Sequence, residues 1–155
     1  MGRVYAVTFD QVAVSAAQDL FEITPAANKP IKIIGLFLGQ SSDEGDAAAE
    51  LLPISVIRGN ATSGSGGSTV TPTPLTPTDV AASFTAEANN TTIASTGSPV
   101  TLHADAWNVQ SGYPLMLPDQ LKWPCTAGQT RIVVRVTAPA DAITMSGTLY
   151  VEEEG

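Results

Sequence analysis

Apolar residues in this chain recur at every second position and almost nowhere at helical spacing. Tyr5, Val7 and Phe9 lie on one side of an alternating run, as do Ile132, Val134 and Val136, and again Ile143, Met145, Gly147, Leu149 and Val151. A period of two places such residues on one face of a half-buried strand, so each run predicts a strand rather than a helix. Further strands are expected at Val12 to Val14, Leu20 to Ile23, Ile31 to Leu38, Leu51 to Arg58, Val100 to Val109 and Leu115 to Leu117. Ile31 to Leu38 is continuously apolar apart from Lys32 and Gly35, which suits a central strand. Pro53 suggests an edge position or an irregular start for its strand, because proline donates no ladder hydrogen bond. Ala47 to Leu52 is the one stretch with helical propensity, and Pro53 limits it to about a turn.

Eight or nine short strands separated by Gly, Pro, Asn and Asp describe a single all-β domain over residues 1–155. The expected architecture is an antiparallel β-sandwich of jelly-roll type, with an immunoglobulin-like sandwich or small barrel as the alternative. A chain of 155 residues can bury about 70% of its unfolded surface, enough for one sizeable core. The single Cys125 has no second cysteine to pair with and reads as a small buried hydrophobe. The first ten residues carry Arg3 and an alternating pattern where a secretory signal would be continuously apolar, so export by that route is not expected. No run is long and apolar enough for a transmembrane helix, and no membrane partner is expected.

The middle of the chain breaks the rhythm. Gly59 to Val70 is rich in Gly and Ser, which predicts flexibility, and Thr71-Pro72-Thr73-Pro74-Leu75-Thr76-Pro77-Thr78 has prolines spaced for an extended segment of about 25 Å. Compact domains seldom carry such a stretch without a use. Residues 59–80 are therefore expected to form an extended arm that contacts a neighbouring subunit, with Thr69, Val70, Thr71, Pro72, Thr73, Pro74, Leu75 and Pro77 as candidate interface residues.

Charge excludes some partners. The net charge is −8, and the acids are spread evenly over both halves, leaving no basic patch to neutralise phosphates; nucleic-acid binding is disfavoured. Charged residues make up 14% of the chain against about 25% in average soluble domains. Such a surface suits coverage by partner molecules, although Thr-rich β proteins also carry few charges.

Catalytic chemistry finds little to build on. His103 is the only histidine, and its strand sets His103, Asp105 and Trp107 on one face, which reads as a solvated or subunit-facing surface or as a binding patch. No nucleophile elbow or phosphate loop is present. Asp43, Glu44, Asp46 and Glu50 are weak candidates for Ca²⁺ because they offer clustered oxygen ligands, but their spacing does not match an EF-hand loop. No cofactor is expected, and the chain is not expected to be an enzyme. The Asn60-Ala61-Thr62, Asn89-Asn90-Thr91 and Asn90-Thr91-Thr92 sequons read as polar loop residues.

The stretches "VTFDQVAVSAAQDLFEIT", "QSSDEGDAAAELLPISVIRGNATSGSGGSTVTPTPL", "FTAEANNTT", "AWNVQSGY" and "ITMSGTLYVEE" resemble a widespread family of small bacteriophage and prophage structural-region proteins. The resemblance covers nearly the whole chain, its central block is the most specific part, and it supplies no catalytic residues. It implies a virion setting. With an acidic β domain and an arm, the expectation is a decoration or cement protein that sits on the capsid surface after assembly in the host cytoplasm. Its expected partners are the major capsid protein and further copies of itself, as a homotrimer. A tail, neck or head-fibre subunit is the alternative, and a carbohydrate- or receptor-binding module using Trp107, Tyr113 and Trp123 is another.

Overall fold

The computed structural model describes residues 2–42 and 50–155, and among these it contains no α-helix. In chain order the strands are β1 Arg3–Val14, β2 Gln18–Thr24, β3 Ile31–Gln40, β4 Leu51–Arg58, β5 Ser68–Val70 and β6 Thr73–Pro74. They continue with β7 Thr85–Asn90, β8 Val100–Asn108, β9 Tyr113–Met116, β10 Trp123–Cys125, β11 Ile132–Val136 and β12 Ile143–Glu153. A first sheet runs β10-β3-β12-β1-β6, with β9 also paired to β3; a second runs β5-β7-β2-β11-β4-β8. Every pairing is antiparallel.

With β5, β6 and β7 set aside, the order is β1-β12-β3 followed by β9 and β10 in one sheet, and β2-β11-β4-β8 in the other. That is the two-sheet connectivity of a jelly roll, so the expected all-β sandwich is what the chain forms. The segment between β4 and β8 is an insertion. It adds β5 and β7 to the second sheet beside β2 and lays β6 along β1 in the first.

Local sequence explains most elements. The predicted runs Val4 to Phe9 and Val12 to Val14 merge into the single β1, because its register against β12 shifts between Phe9 and Val12. There Gln11 adopts φ 50° and its amide donates to Ser146 Oγ at 3.0 Å. The bulge keeps Phe9 and Val14 buried on the inner face although they are an odd number of residues apart. Opposite Phe9 stands Gly147, where a Cβ would lie 2.7 Å from the Phe9 ring; the glycine makes room for the aromatic to reach Phe21 of the other sheet, centroid to centroid 5.1 Å.

The edge expectation for β4 is corrected. The strand lies between β11 and β8. Pro53 is tolerated because its carbonyl accepts from Thr137 just past the end of β11, so its missing N–H faces a place where the ladder has already stopped. The helical turn expected over Ala47 to Leu52 falls largely outside the described residues, and Leu51 and Leu52 are already in β4. The core gathers the inward residues of both sheets, among them Tyr5, Val7, Phe21, Ile33, Leu36, Ile54, Trp107, Val134 and Leu149.

Candidate interaction surface

Two loops strap the outer face of the second sheet. Leaving β4, the chain passes across this face to reach β5 at the far edge; leaving β7, it passes back across to reach β8 at the opposite edge. The straps meet in the middle through four hydrogen bonds: Thr62 and Ser95 exchange amide-to-carbonyl bonds of 2.9 and 3.0 Å, and Ser65 and Thr92 do the same at 2.9 and 3.0 Å. Their sequences repeat. Asn60-Ala61-Thr62-Ser63-Gly64-Ser65-Gly66-Gly67 and Asn90-Thr91-Thr92-Ile93-Ala94-Ser95-Thr96-Gly97 share Asn, Thr, Ser and Gly at the same offsets, with Gly64 matched by the equally small Ala94.

Charge pins both straps to the sheet. The Gly64 amide donates to Glu22 Oε2 at 2.9 Å and the Ala94 amide to Asp19 Oδ2 at 2.7 Å. Both carboxylates stand on β2 and are 0–2% exposed as side chains, and each is matched by an arginine: Arg135 Nε reaches Asp19 Oδ1 at 2.6 Å, and Arg131 Nη1 reaches Glu22 Oε1 at 3.1 Å. Buried carboxylates need such partners, since an uncompensated charge is expensive out of water. Val133, the outward residue of β11 between the arginines, is fully buried in consequence. The approach is close enough that Gly97, at φ +73°, would set a Cβ 2.4 Å from the Gly59 carbonyl oxygen.

The sequons and the Gly/Ser stretch are therefore structural. Asn60, Asn89 and Asn90 are buried rather than displayed. Asn60 Nδ2 donates to the Ala94 carbonyl, Asn89 Oδ1 accepts from Gln18 Nε2, and Asn90 Oδ1 accepts from the Gly67 amide. The repeated Asn-x-Thr-x-small-Ser-x-Gly pattern, thirty residues apart, is the signal that would have found the straps in the sequence.

Beyond the straps the arm lies on its own chain. Ser68, Thr69 and Val70 pair with Ala88, Glu87 and Ala86; Thr73 and Pro74 pair with Ala6 and Tyr5; and the Leu75 amide donates to the Val4 carbonyl at 2.9 Å. The arm thus links the edges of both sheets. Of the candidate interface residues, Thr69, Thr71, Thr73, Leu75 and Pro77 are exposed, and Val70, Pro72 and Pro74 are half-buried. Leu75 is 54% exposed and nearby Val80 is 56% exposed, although Tyr5 Oη holds the Val80 carbonyl at 3.0 Å.

The aromatic platform expected from Trp107, Tyr113 and Trp123 is not formed as a surface. Trp107 and Trp123 are buried, 2% and 7% exposed, because both project into the seam where β8 faces β9 and β10. At the mouth of that seam His103 stacks on Trp123 at 5.1 Å, its Nε2 lies 3.0 Å from Tyr113 Oη, and Tyr113 donates to Asp105 Oδ2 at 3.0 Å. The backbone amide of Ala106 and the Tyr113 hydroxyl hold Asp105 below the usual carboxylate range, while burial and the Asp105 hydrogen bond push Tyr113 up to about 12. His103, Asp105 and Trp107 do share a strand face, but the first two meet Tyr113 and the third enters the core.

Of the metal candidates, Asp43, Glu44 and Asp46 lie outside the described residues. Glu50 binds the Ala140 amide at 2.6 Å, and no group of three or more metal-ligating side chains occurs among the described residues. Cys125 is fully buried, and burial pushes its thiol up to about 11. A neutral thiol is what the fold requires, so the stability tied to Cys125 is fully present below the ordinary value of 9.0 and is lost as pH rises from there through about 11. Tyr113 adds a second loss between 10.0 and about 12. Thermal melts across this alkaline range should show the decline, Cys125→Ala should remove its lower part, and a thiol reagent at neutral pH should leave the native protein unlabelled.

No protein-family model, no curated protein and no solved structure matches this chain.

Proposed function

We propose that this chain is a bacteriophage virion structural protein, a decoration or cement subunit that binds the outer surface of the major capsid protein lattice and reinforces the head. The observation that carries the reading is the arm: a Thr/Pro segment paired with the edges of both sheets, with Thr69, Thr71, Thr73 and Leu75 exposed along it and Pro77 exposed in the turn that ends it, where the Asp79 amide donates to the Thr76 carbonyl. Its ordering entropy is lost on folding, so docking it against a neighbour costs little more. The motif likeness to phage structural-region proteins supports the viral setting. The work is mechanical. Copies meet through their arms as a trimer, and many weak contacts repeated over a shell give avidity that no single contact has.

The test uses purified full-length protein and particles lacking it. Leu75→Asp should keep the melting temperature of the parent, because Leu75 is exposed, yet should lose both trimer formation and co-sedimentation with particles. An unaltered assembly state and unaltered particle binding would refute the role of the arm. Copy number decides the location: a shell protein occurs in numbers comparable with the major capsid protein, a tail, neck or fibre subunit in far fewer.

A further inference from the structure

We propose that the cavity between β1 and β7 binds a neutral carboxamide, the side chain of a glutamine or asparagine in a short extended segment of a partner protein. The site stands on its own residues and does not rest on the virion reading.

The sandwich is open along one side. β6 pairs with β1 only at Tyr5 and Ala6, and Thr71 and Pro72 carry the arm from β5 in one sheet to β6 in the other. Past that crossing a cavity of about 360 Å³ enters between Phe9 and Val12 of β1 and Val70 and Ala88 of β5 and β7, with Gln18 and Asn89 also in its wall. That volume lies in the range of small-ligand sites. None of the lining residues is ionisable, on a chain of net charge −8.

Two amides are held there almost out of water: Gln18 is 2% exposed and Asn89 8%. Gln18 Nε2 donates to Asn89 Oδ1 at 2.9 Å, while Gln18 Oε1 and Asn89 Nδ2 have no hydrogen-bond partner among the described residues. Side chains this buried ordinarily have both halves of an amide bonded, so the two free atoms mark the ligand-facing side. Exchanging N and O in both amides leaves the same result, one donor and one acceptor free. The backbone directs the pair. Ala86 and Ala88 face the core and Glu87 faces the straps, so strict alternation would send Asn89 outward. At φ 59° it leaves the alternation and reaches Gln18, while Asn90 turns out to Glu22.

The chemistry of the cavity selects its occupant. A carboxylate offers only acceptors and an ammonium only donors, and neither would meet a counter-charge; a carboxamide offers a donor and an acceptor on separate atoms and no charge. The edge of β1 supplies the rest. The Leu75 amide donates to the Val4 carbonyl, and the register against β12 runs without a shift from Arg3 to Phe9, so Thr8 turns its backbone groups to the same side as Val4. Thr71 would be its partner by register, but the arm has already turned away and no strand pairs with β1 there. The bulge at Gln11 ends this free edge, which limits the segment to a few residues.

The experiment titrates the full-length protein with a capped Val-Gln-Val tripeptide, with its Glu, Leu and Thr counterparts, and with N-acetylglutamine amide, followed by NMR. The Gln tripeptide should shift the side-chain amide resonances of Gln18 and Asn89 and the backbone amide of Thr8. Each counterpart should bind about tenfold more weakly or less, because none offers a donor and an acceptor on separate atoms. N-acetylglutamine amide should move Gln18 and Asn89 but not Thr8, and with lower affinity. Gln18→Leu would also remove the bond to Asn89 and disturb the fold, so Ala13→Phe is the variant used: Ala13 is exposed at the rim, and a ring there should cover the opening and abolish the shifts at an unchanged melting temperature. The proposal is overturned if the Gln tripeptide leaves Gln18 and Asn89 unmoved, if a counterpart binds equally well, or if Ala13→Phe binds like the parent. A free amide that binds as tightly as the tripeptide overturns the partner segment.

Discussion

Asp19→Ala should destabilise the protein by about 3–5 kcal/mol, the range for removing one partner of a buried ion pair. Three bonds depend on this carboxylate: two from Arg135, at 2.6 and 3.2 Å, and one from the Ala94 amide at 2.7 Å. Without it, a largely buried guanidinium loses its counter-charge and keeps only the Ala94 carbonyl as acceptor, at 2.9 Å. Total stabilities of domains this size are about 5–15 kcal/mol, so the loss is a large fraction of the whole. Asp19→Asn should fall between, because an amide oxygen still accepts from Ala94 while the charge is gone. Chemical denaturation measures the difference, and amide exchange should rise first at Thr92, Ala94 and Ser95, where the strap is anchored. A loss below about 1 kcal/mol would mean that the straps contribute no more than an exposed surface ion pair does.

The sandwich was legible from period alone, because each strand with one buried face carries its own alternation: Leu51 to Arg58 matches β4 end to end, and Ile132, Val134 and Val136 face the core as expected. What failed was whatever depends on neighbours distant in the chain. β7 reads Thr-Ala-Glu-Ala-Asn-Asn, with small and polar residues where a strand pattern expects large apolar ones, since its burial comes from the strap over one face and β1 near the other. β2 hides its character in the same way: Asp19 and Glu22 look like surface positions until the straps and the arginines of β11 enclose them. Pro53 suggested an edge, and only the place where β11 stops shows why it sits inside a sheet. Trp107 and Trp123 illustrate the converse error, since an aromatic on a strand face reads as displayed until the opposing sheet edge is in place to cover it.

Trp107→Ala should cost as much as the loss of Asp19, about 3–5 kcal/mol for emptying a buried aromatic site. In β8 only Trp107 is fully buried; the remaining eight residues are exposed or half-buried. The indole therefore anchors the edge strand to the core, and its Nε1–H also closes the turn between β8 and β9 by donating to the Ser111 carbonyl at 2.6 Å. Trp107→Phe should lose far less, about 0.5–1.5 kcal/mol for the hydrogen bond, because most of the apolar volume stays and the exposed Ser111 carbonyl can be hydrated instead. The two variants separate packing from turn closure when measured by denaturant unfolding. Loosening β8 should also show in amide exchange: at temperatures where the alanine variant remains folded, exchange should be faster at Val109, whose amide donates to the Glu50 carbonyl, and at Asp105, paired with Ile54 of β4. Equal stability of the alanine and phenylalanine variants would show that the edge strand is held by its ladder to β4 and not by its single large side chain.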